Sequence, residues 1–232
     1  MSFKDGKDYL YLIWQDKVSR RQYIVGQLSK NGQYEFCYSN DIEEALKVGF
    51  KLLVPFDDLN KTYYSDTLFS TFSSRLPDKK RKDIRQILAK YGLHEYDAYE
   101  LLKASGARLP IDSLHFVDPI LDISTAFNCD FFMAGARHYL ACDGNDCLLV
   151  TELDRGDQLF LKKEPDNKQD MFAVEIITSN NKRVGYIPRY YSKAFTRLLD
   201  ENREIVCHVK CIQKNKPCNE GVMLHIQVSA IA

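Results

Sequence analysis

The sequence predicts an α+β protein in which a small antiparallel sheet with helices is followed by a partly open β-barrel with one or two helices. Three observations support this fold class. Strand-like runs open the chain, helical periodicity follows from about residue 65, and short alternating runs return after residue 130. With 232 residues, 45% of them hydrophobic, the chain is long enough for two domains. We expect these at residues 1–118 and 119–232.

The first domain opens with a predicted antiparallel meander. Its strands are expected at residues 9–15, 21–29 and 33–39. Lys30-Asn31-Gly32 separates the last two strands and is a favourable hairpin turn. A helical turn at 41–47, capped by Asp41, and an apolar strand at 49–56 are predicted next.

Apolar residues at helical spacing predict three helices after the meander. The first begins with a cap at Ser65, the second follows the charged stretch 78–83, and the third covers 96–104 and ends at Gly106. The residues that carry this spacing are Leu68, Phe69, Phe72, Ile84, Ile87, Leu88, Tyr91, Tyr99 and Leu102. Residues 110–119 are weakly periodic and bounded by prolines, which predicts the join between the domains.

The second domain is predicted to be mostly β. Strands are expected at 130–134, 148–152, 158–163, 172–178, 182–187, 205–211 and 222–228. Residues 179–181 form a hairpin turn between two of them. A helix at 190–200 places Ala194, Leu198 and Leu199 inward. Several short strands with one helix favour a partly open barrel.

The bulk properties exclude several classes of protein. The 32 basic and 32 acidic residues give no net charge, so a nucleic-acid site must be a local cleft. An odd count of seven cysteines without a secretory signal argues against a disulfide framework. No C-x-x-C pair is present, so we expect neither a metal nor a cofactor. Without a signal peptide or an apolar run of about 18 residues, we expect a cytoplasmic protein that does not contact a membrane.

Catalytic motifs are missing from the sequence. It contains no phosphate-binding loop of the G-x-x-x-x-G-K-[ST] type, no H-E-x-x-H, no G-x-S-x-G and no kinase catalytic loop. We therefore expect a protein that is not an enzyme.

Three short segments carry the candidate binding residues. Arg137-His138-Tyr139 places a cation beside two rings at a strand end, which suits base stacking but equally suits a cap on the barrel. Residues 164–170 form a polar loop whose Asn167 and Asp170 either build an ordinary turn or accept hydrogen bonds from a ligand. Residues 186–191 supply three rings and a cation where a helix begins, and helix starts favour phosphate.

The same segments resemble a HIRAN domain, a small β-barrel module of the oligonucleotide-binding type found in DNA-repair and restriction proteins. The matching stretches are FFMAGARHY, LKKEPDNKQD and RVGYIPRYYSKA, within about residues 131–200. The resemblance implies a site that grips single-stranded DNA at its 3′ end. The residues it implies are Arg137, His138, Tyr139, Asn167, Asp170, Tyr186 and Arg189. One departure is His138, which replaces a tyrosine of the eukaryotic domain and implies weaker stacking.

The first domain looks like the N-terminal subdomain of HipA-type toxin kinases. The similar stretches are Gly26-Gln27-Leu28, YEFCY at 34–38, LFSTFSSRLP at 68–77 and YELLKASG at 99–106. In that family the nucleotide-binding and catalytic residues lie downstream of this subdomain, whereas here the HIRAN-like part follows. The resemblance therefore implies a protein-interaction surface rather than kinase activity.

Two functions remain open on the sequence. In the first, the chain is a non-enzymatic protein that holds single-stranded or frayed DNA in the HIRAN-like cleft while its first domain engages a protein. In the second, it is an antitoxin-type or scaffold protein that binds a HipA-like kinase, or another partner, without binding DNA. The expected partners are single-stranded DNA or DNA ends and a toxin kinase, helicase or nuclease subunit.

Overall fold

A computed structural model describes residues 8–140, 152–213 and 220–230 of the chain. Residues up to Pro119 form one compact unit, and residues from Ile120 onwards form a second. Each unit combines helices with one antiparallel sheet, which confirms the predicted α+β class. Within these three ranges no helix is both long enough and apolar enough to cross a bilayer.

The first unit is built on a five-stranded antiparallel sheet. Its strands are β1 (Tyr9–Gln15), β2 (Gln22–Asn31), β3 (Gln33–Tyr38), β4 (Tyr63–Ser65) and β5 (Leu114–Val117). They lie in the order β4-β3-β2-β1-β5. The predicted meander is confirmed as β1 to β3, with a tight turn at Gly32, whose φ of 83° favours glycine.

Four short helices accompany this sheet. They are α1 (Ile42–Lys47), α2 (Ser70–Ser73), α3 (Ile84–Lys90) and α4 (Ala98–Ser105). The caps of α4 agree with the predicted helix end, because the Asp97 carboxylate accepts the Tyr99 and Glu100 N–H groups and Gly106 is left-handed. Asp41 precedes α1 as predicted, but its side chain makes no capping hydrogen bond.

Two predictions in the first unit are wrong. Residues 49–56 are not a strand, because the Phe56 N–H bonds to the Leu53 carbonyl in a turn and the Leu53 N–H bonds to the Tyr38 hydroxyl. Ser65 does not cap a helix, since it pairs with Tyr34 as the last residue of β4. The segment 110–119, predicted as the join, contains β5, which pairs with β1, and the boundary between the compact units falls at its end.

The core of the first unit is aromatic. The ring centroids of Phe36 and Phe56 are 4.4 Å apart, those of Phe56 and Phe72 are 5.5 Å apart, and those of Phe72 and Phe116 are 5.1 Å apart. These four side chains are buried and link β3, the 49–62 segment, α2 and β5. Such ring contacts stabilise a core beyond the area that they bury.

The second unit is a curled six-stranded antiparallel sheet. Its strands are β6 (Phe127–Phe132), β7 (Gln158–Lys163), β8 (Val174–Ile177), β9 (Arg183–Tyr186), β10 (Ile205–Ile212) and β11 (Val222–Val228), in the order β6-β11-β10-β7-β8-β9. Just beyond β6, Ala134 forms a bridge with Tyr186 of β9, with both N–H···O distances at 2.9 Å. This bridge links the two edges of the sheet, so the wall is closed by one pair of residues.

Among its described residues the second unit also has two helices, α5 (Ala136–Tyr139) and α6 (Arg189–Asp200). The core beneath them is largely aliphatic, and its fully buried aromatic residues among those described are Phe131 and Phe195. On α6 the residues Ala194, Phe195 and Leu198 face this core, and Leu199 is partly buried against it, as its predicted inward face requires.

Not every prediction in the second unit matches. The predicted strand at 148–152 lies outside the described residues except for Glu152, which forms a bend. Residues 137–139 do not end a strand but form the single turn of α5. The left-handed Gly135, with φ of 70°, ends the extended backbone and allows that turn to start.

Candidate nucleic-acid interface

The bridge between Ala134 and Tyr186 creates the candidate site, because it places α5 beside β9. A Cβ atom added to Gly135 would lie 3.5 Å from the Tyr186 ring and 3.8 Å from the Tyr139 ring. The chain therefore passes close to both rings at this point. Gly185 is packed more tightly, since an added Cβ atom would lie 2.8 Å from the Ala134 carbonyl oxygen.

Tyr139 and Tyr186 form an aromatic pair at this bridge. Their ring centroids are 5.9 Å apart at an interplanar angle of 62°, and their hydroxyl oxygens are 3.4 Å apart. Both side chains are half-buried. The pair thus offers partly exposed ring surface of the kind on which nucleic-acid bases stack.

Arg183 lies between these two rings and two carboxylates. Its guanidinium carbon is 5.6 Å from the Tyr139 centroid and 5.4 Å from the Tyr186 centroid. The guanidinium donates to the Tyr186 hydroxyl at 2.8 Å and to Glu164 at 2.9 Å, and it also pairs with the buried Glu175. We call the set Tyr139, Glu164, Glu175, Arg183 and Tyr186 the Arg183 cluster.

A β-bulge explains how Arg183 reaches Tyr186. Residues three apart in a regular strand point to opposite faces. In β9, however, Gly185 pairs with Ile176 and Arg183 pairs with Ile177, so Val184 is an extra residue. The bulge returns Arg183 to the face of Tyr186. Strict alternation along the sequence would predict that the Arg183 and Tyr186 side chains lie on opposite faces of the sheet.

The Arg183 cluster has a definite charge state at neutral pH. Burial opposes ionisation of Glu164, but hydrogen bonds from Asn167 and Tyr186 and the Arg183 charge outweigh it and lower the Glu164 pKa. Burial, with hydrogen bonds to Tyr139 and Glu164, raises the pKa of Tyr186, which remains a neutral phenol. Arg183 is therefore already engaged by the Glu164 and Glu175 side chains, and phosphate neutralisation falls to other cations.

Arg137 and His138 lie next to Tyr139 on α5. The Arg137 Nε donates to the His138 Nε2 at 3.2 Å, and the His138 ring is exposed, 6.4 Å from the Tyr139 ring. Partial burial and the Arg137 charge lower the pKa of His138, which favours its neutral form. A neutral ring and an arginine therefore stand beside the aromatic pair, as the stacking hypothesis requires.

Asn167 and Asp170 shape their loop. The Asn167 Oδ1 accepts the N–H groups of Gln169 and Asp170 at 2.9 and 3.2 Å, and its Nδ2 donates to Glu164 at 2.5 Å. The Asp170 Oδ1 accepts the Phe172 N–H at 2.9 Å. Asn167 thus joins the Arg183 cluster through Glu164, whereas the described bonds of Asp170 lie within its own turn.

Arg189 is the first residue of α6, three residues after Tyr186. Two tyrosines follow it. The ring centroid of Tyr191 lies 4.6 Å from that of Tyr190 and 5.6 Å from that of the core residue Phe131. Tyr191 therefore leans toward the interior, while Arg189 stands at the start of α6.

The structure adds three residues that the sequence did not assign to the site: Glu164, Glu175 and Arg183. Glu164 stands in the predicted polar loop, so the sequence shows a carboxylate there, but not that it pairs with Arg183. Glu175 lies in the middle of an apolar strand, where a charged residue signals a buried partner. Arg183 could not be predicted, because the bulge changes the face of the strand on which its side chain lies.

No metal site is seen in the part of the chain that the structure describes, since no cluster of three or more His, Cys, Asp or Glu side chains there suits an ion. Burial raises the pKa of Cys129 and Cys207 to about 12, so both are protonated thiols. Cys142, Cys147 and Cys218 lie outside the described residues.

Comparison with known proteins gives matches to both units. The profile of the HIRAN domain matches residues 126–230, and that of the HipA N-terminal domain matches residues 17–110. None of the curated proteins matches the chain.

Two solved structures are similar to part of the chain. One is the crystal structure of the HIRAN domain of human HLTF, at 16% identity and a TM-score of 0.36, covering 46% of this chain and 81% of that one. The other is a Lactobacillus plantarum protein, at 20% identity and a TM-score of 0.36, covering 45% of this chain and 95% of that one. The two family profiles thus match separate stretches of the chain, the HipA N-terminal profile within the first unit and the HIRAN profile within the second.

Proposed function

We propose that the second unit binds single-stranded or frayed DNA, including a 3′ end, at the Arg183 cluster and the adjoining α5. The observation that carries this proposal is the half-buried Tyr139 and Tyr186 pair, held beside the exposed His138 and the half-buried Arg137. A network of this kind orders the rings in advance, which lowers the entropic cost of binding. The match of residues 126–230 to the HIRAN domain profile supports the same ligand class.

The residues have distinct roles in this proposal. Tyr139, Tyr186 and His138 stack against bases, and each stacked base contributes about 1–3 kcal/mol. Arg137 and Arg189 pair with phosphates, because Arg183 is already paired with Glu164 and Glu175. Asn167 keeps the loop closed around Glu164, and Asp170 holds the turn that follows.

The test is a fluorescence titration with labelled oligonucleotides at two salt concentrations. Single strands ending in a 3′-hydroxyl, single strands ending in a 3′-phosphate, and duplexes are compared. If about two phosphates are neutralised, a plot of the logarithm of the single-strand affinity against the logarithm of the salt concentration is expected to have a slope of about −1.4. A duplex bound as tightly as the single strand would contradict the proposed cleft.

The matched variants separate binding from folding. Arg137→Ala with Tyr139→Ala is expected to reduce affinity at least tenfold, because it removes one stacking ring and one phosphate contact. Arg155→Ala, in an exposed turn of the same unit, is the control and is expected to bind normally. Unchanged affinity in the double variant, with a normal circular dichroism spectrum, would exclude this surface.

The first unit supports a second function, as a protein-interaction module. The match of residues 17–110 to the HipA N-terminal domain favours a kinase-type partner. Co-purification with such a kinase, together with no measurable oligonucleotide affinity, would favour the antitoxin-type or scaffold function over DNA binding. The proposal that the chain has no catalysis of its own is tested by nuclease and ATPase assays on purified protein, which should show no turnover.

A further inference from the structure

Beside the candidate site lies a surface to which the stacking hypothesis assigns nothing. It consists of Met171 and Phe172, which follow the Asn167–Asp170 loop, and of Lys193, one helical turn beyond Arg189. The Met171 side chain is 70% exposed, the highest value among the exposed large apolar residues described in the second unit. We call these three residues the Phe172 platform.

Contacts from both sides hold the platform in place. The Phe172 N–H donates to the Asp170 carboxylate at 2.9 Å, and the Phe172 carbonyl accepts the Thr196 hydroxyl at 2.8 Å. The Lys193 Nζ lies 5.6 Å from the centroid of the Phe172 ring. Asp170 therefore connects the candidate site to the platform, and α6 supplies the cation that covers its ring.

The charge of α6 favours an anion along this path. From Arg189 to Leu199 its charged residues are all cations, and Arg189, Lys193 and Arg197 recur every four positions on one side. Acidic residues come only after them, as Asp200, which pairs with Lys163, and Glu201, which lies 3.8 Å from Arg197. A cation in the first turn, such as Arg189, opposes the helix dipole.

The spacing suits a strand of nucleic acid. Four residues of α-helix separate Arg189 and Lys193 by about 6 Å along the axis. This exceeds the roughly 3.4 Å rise of one nucleotide in a stacked strand, so the two cations can face different phosphates of one strand. An exposed apolar side chain and a ring beside the second cation provide a surface for a base. A purely acidic peptide would leave this apolar surface unused.

We infer that the Phe172 platform is a second nucleotide subsite, which takes the base of a neighbouring nucleotide on Met171 and Phe172 and its phosphate on Lys193. The inference rests on the proposed DNA-binding function and extends it along α6. It makes the site longer than the Arg183 cluster and gives the bound strand a direction across the loop.

Oligothymidylates of two lengths test the subsite, about 2 nucleotides and about 8 nucleotides. Lys193→Gln is expected to weaken binding of the longer strand several-fold and to lower its salt slope by about 0.7, the value for one phosphate of a single strand. Phe172→Leu is expected to weaken the longer strand without changing the salt slope. Neither change should alter binding of the shorter strand. Lys182→Gln, which removes an exposed cation at the β8–β9 hairpin, is the matched control.

The possible outcomes are distinguishable. If wild type binds neither length, the proposed function fails and the subsite with it. If wild type binds both lengths and Lys193→Gln changes neither, or both equally, the subsite is wrong while the proposed function stands. Polyglutamate is the charge control, and binding of it as tight as that of the longer strand would overturn the role assigned to Met171 and Phe172.

Discussion

The two units use aromatic and arginine side chains in opposite ways. In the first, Phe36, Phe56 and Phe72 fill the interior, and Arg75 is only 6% exposed, bonded to Asp112 and to backbone carbonyls. In the second, the core is aliphatic while Tyr139 and Tyr186 stand half-exposed around Arg183, which is 33% exposed. The same residue types therefore stabilise one unit and build a surface on the other.

Removing a ring from the first core should have the largest effect. Phe72→Ala deletes contacts to Phe36, Phe56 and Phe116 and is expected to lower the free energy of unfolding by about 3–5 kcal/mol. Chemical denaturation followed by circular dichroism measures it. Tyr64→Ala, at an exposed ring of β4, is the control and should cost less than about 0.5 kcal/mol. Equal losses from both variants would contradict an aromatic core.

The two arginines offer a direct test of the comparison. Arg75→Ala leaves Asp112 and the carbonyls of Ala107 and Leu114 without their donor and is expected to cost about 3 kcal/mol. It should leave oligonucleotide affinity intact. Arg183→Ala leaves the buried Glu175 carboxylate without its partner and is expected to cost a similar amount, about 3 kcal/mol, but it also reduces affinity about tenfold through disorder of the rings. Denaturation and titration of both variants would show similar losses of stability but a loss of affinity in Arg183→Ala alone, and weaker binding by Arg75→Ala would contradict the comparison.

The bridge at the candidate site predicts a smaller effect. In Gly185→Ala the new Cβ atom would lie 2.5 Å from the Met133 Sδ and 2.8 Å from the Ala134 carbonyl oxygen. Because a backbone atom must move, we expect a loss of about 1–3 kcal/mol and weaker oligonucleotide binding. Ser179→Ala, in the exposed hairpin, is the control. Gly156→Ala is unsuitable, because the φ of Gly156 is 95° and alanine is strained there. A Gly185→Ala protein that is as stable as wild type and binds oligonucleotides as tightly would show that the bridge can shift without loss.

A further predicted effect depends on pH and belongs to the first unit. His115 of β5 is buried with no partner for its Nε2, and burial, with the charges of Arg108 and Arg75, lowers its pKa to about 3 despite Asp112. The unfolded chain binds a proton near pH 6.5 but the folded one does not. Stability should therefore fall by about 1.4 kcal/mol per pH unit as the pH drops from about 6.5 toward 5.

His115→Gln is the control for that prediction, because it removes the titrating group and should flatten the pH dependence in this range. Thermal melts at about pH 6.5 and about pH 5 measure the difference. The same loss of stability in wild type and in His115→Gln would assign the effect to other groups.

Period-two alternation and turn residues predicted most of the strands, since β1 to β3, β7 and β9 to β11 each follow a local pattern. Tertiary pairing decided the rest. Residues 63–65 are extended because they pair with β3, and residues 114–117 because they pair with β1, and neither pairing leaves a local signal.

The candidate site was predictable only in part, for a physical reason. Tyr139 and Tyr186 stand in motifs that can be recognised, and the structure brings them together. The bulge at Val184 inverts the face of Arg183, so alternation cannot place it in the site. Asn167 and Asp170 were predicted as either ligands or turn residues, and their described hydrogen bonds fit the second role. Whether they also contact DNA stays a prediction.

The pair Ala134 and Tyr186 gives the barrel wall a seam that is two hydrogen bonds wide. Amide protons on such a seam exchange with solvent sooner than those of the long β10–β11 ladder, because local opening there breaks few bonds. A DNA strand bound on the Tyr186 ring would stabilise this pair of hydrogen bonds against local opening. Ligand occupancy should therefore be readable as slower deuterium uptake at two backbone positions, without any label on the nucleic acid.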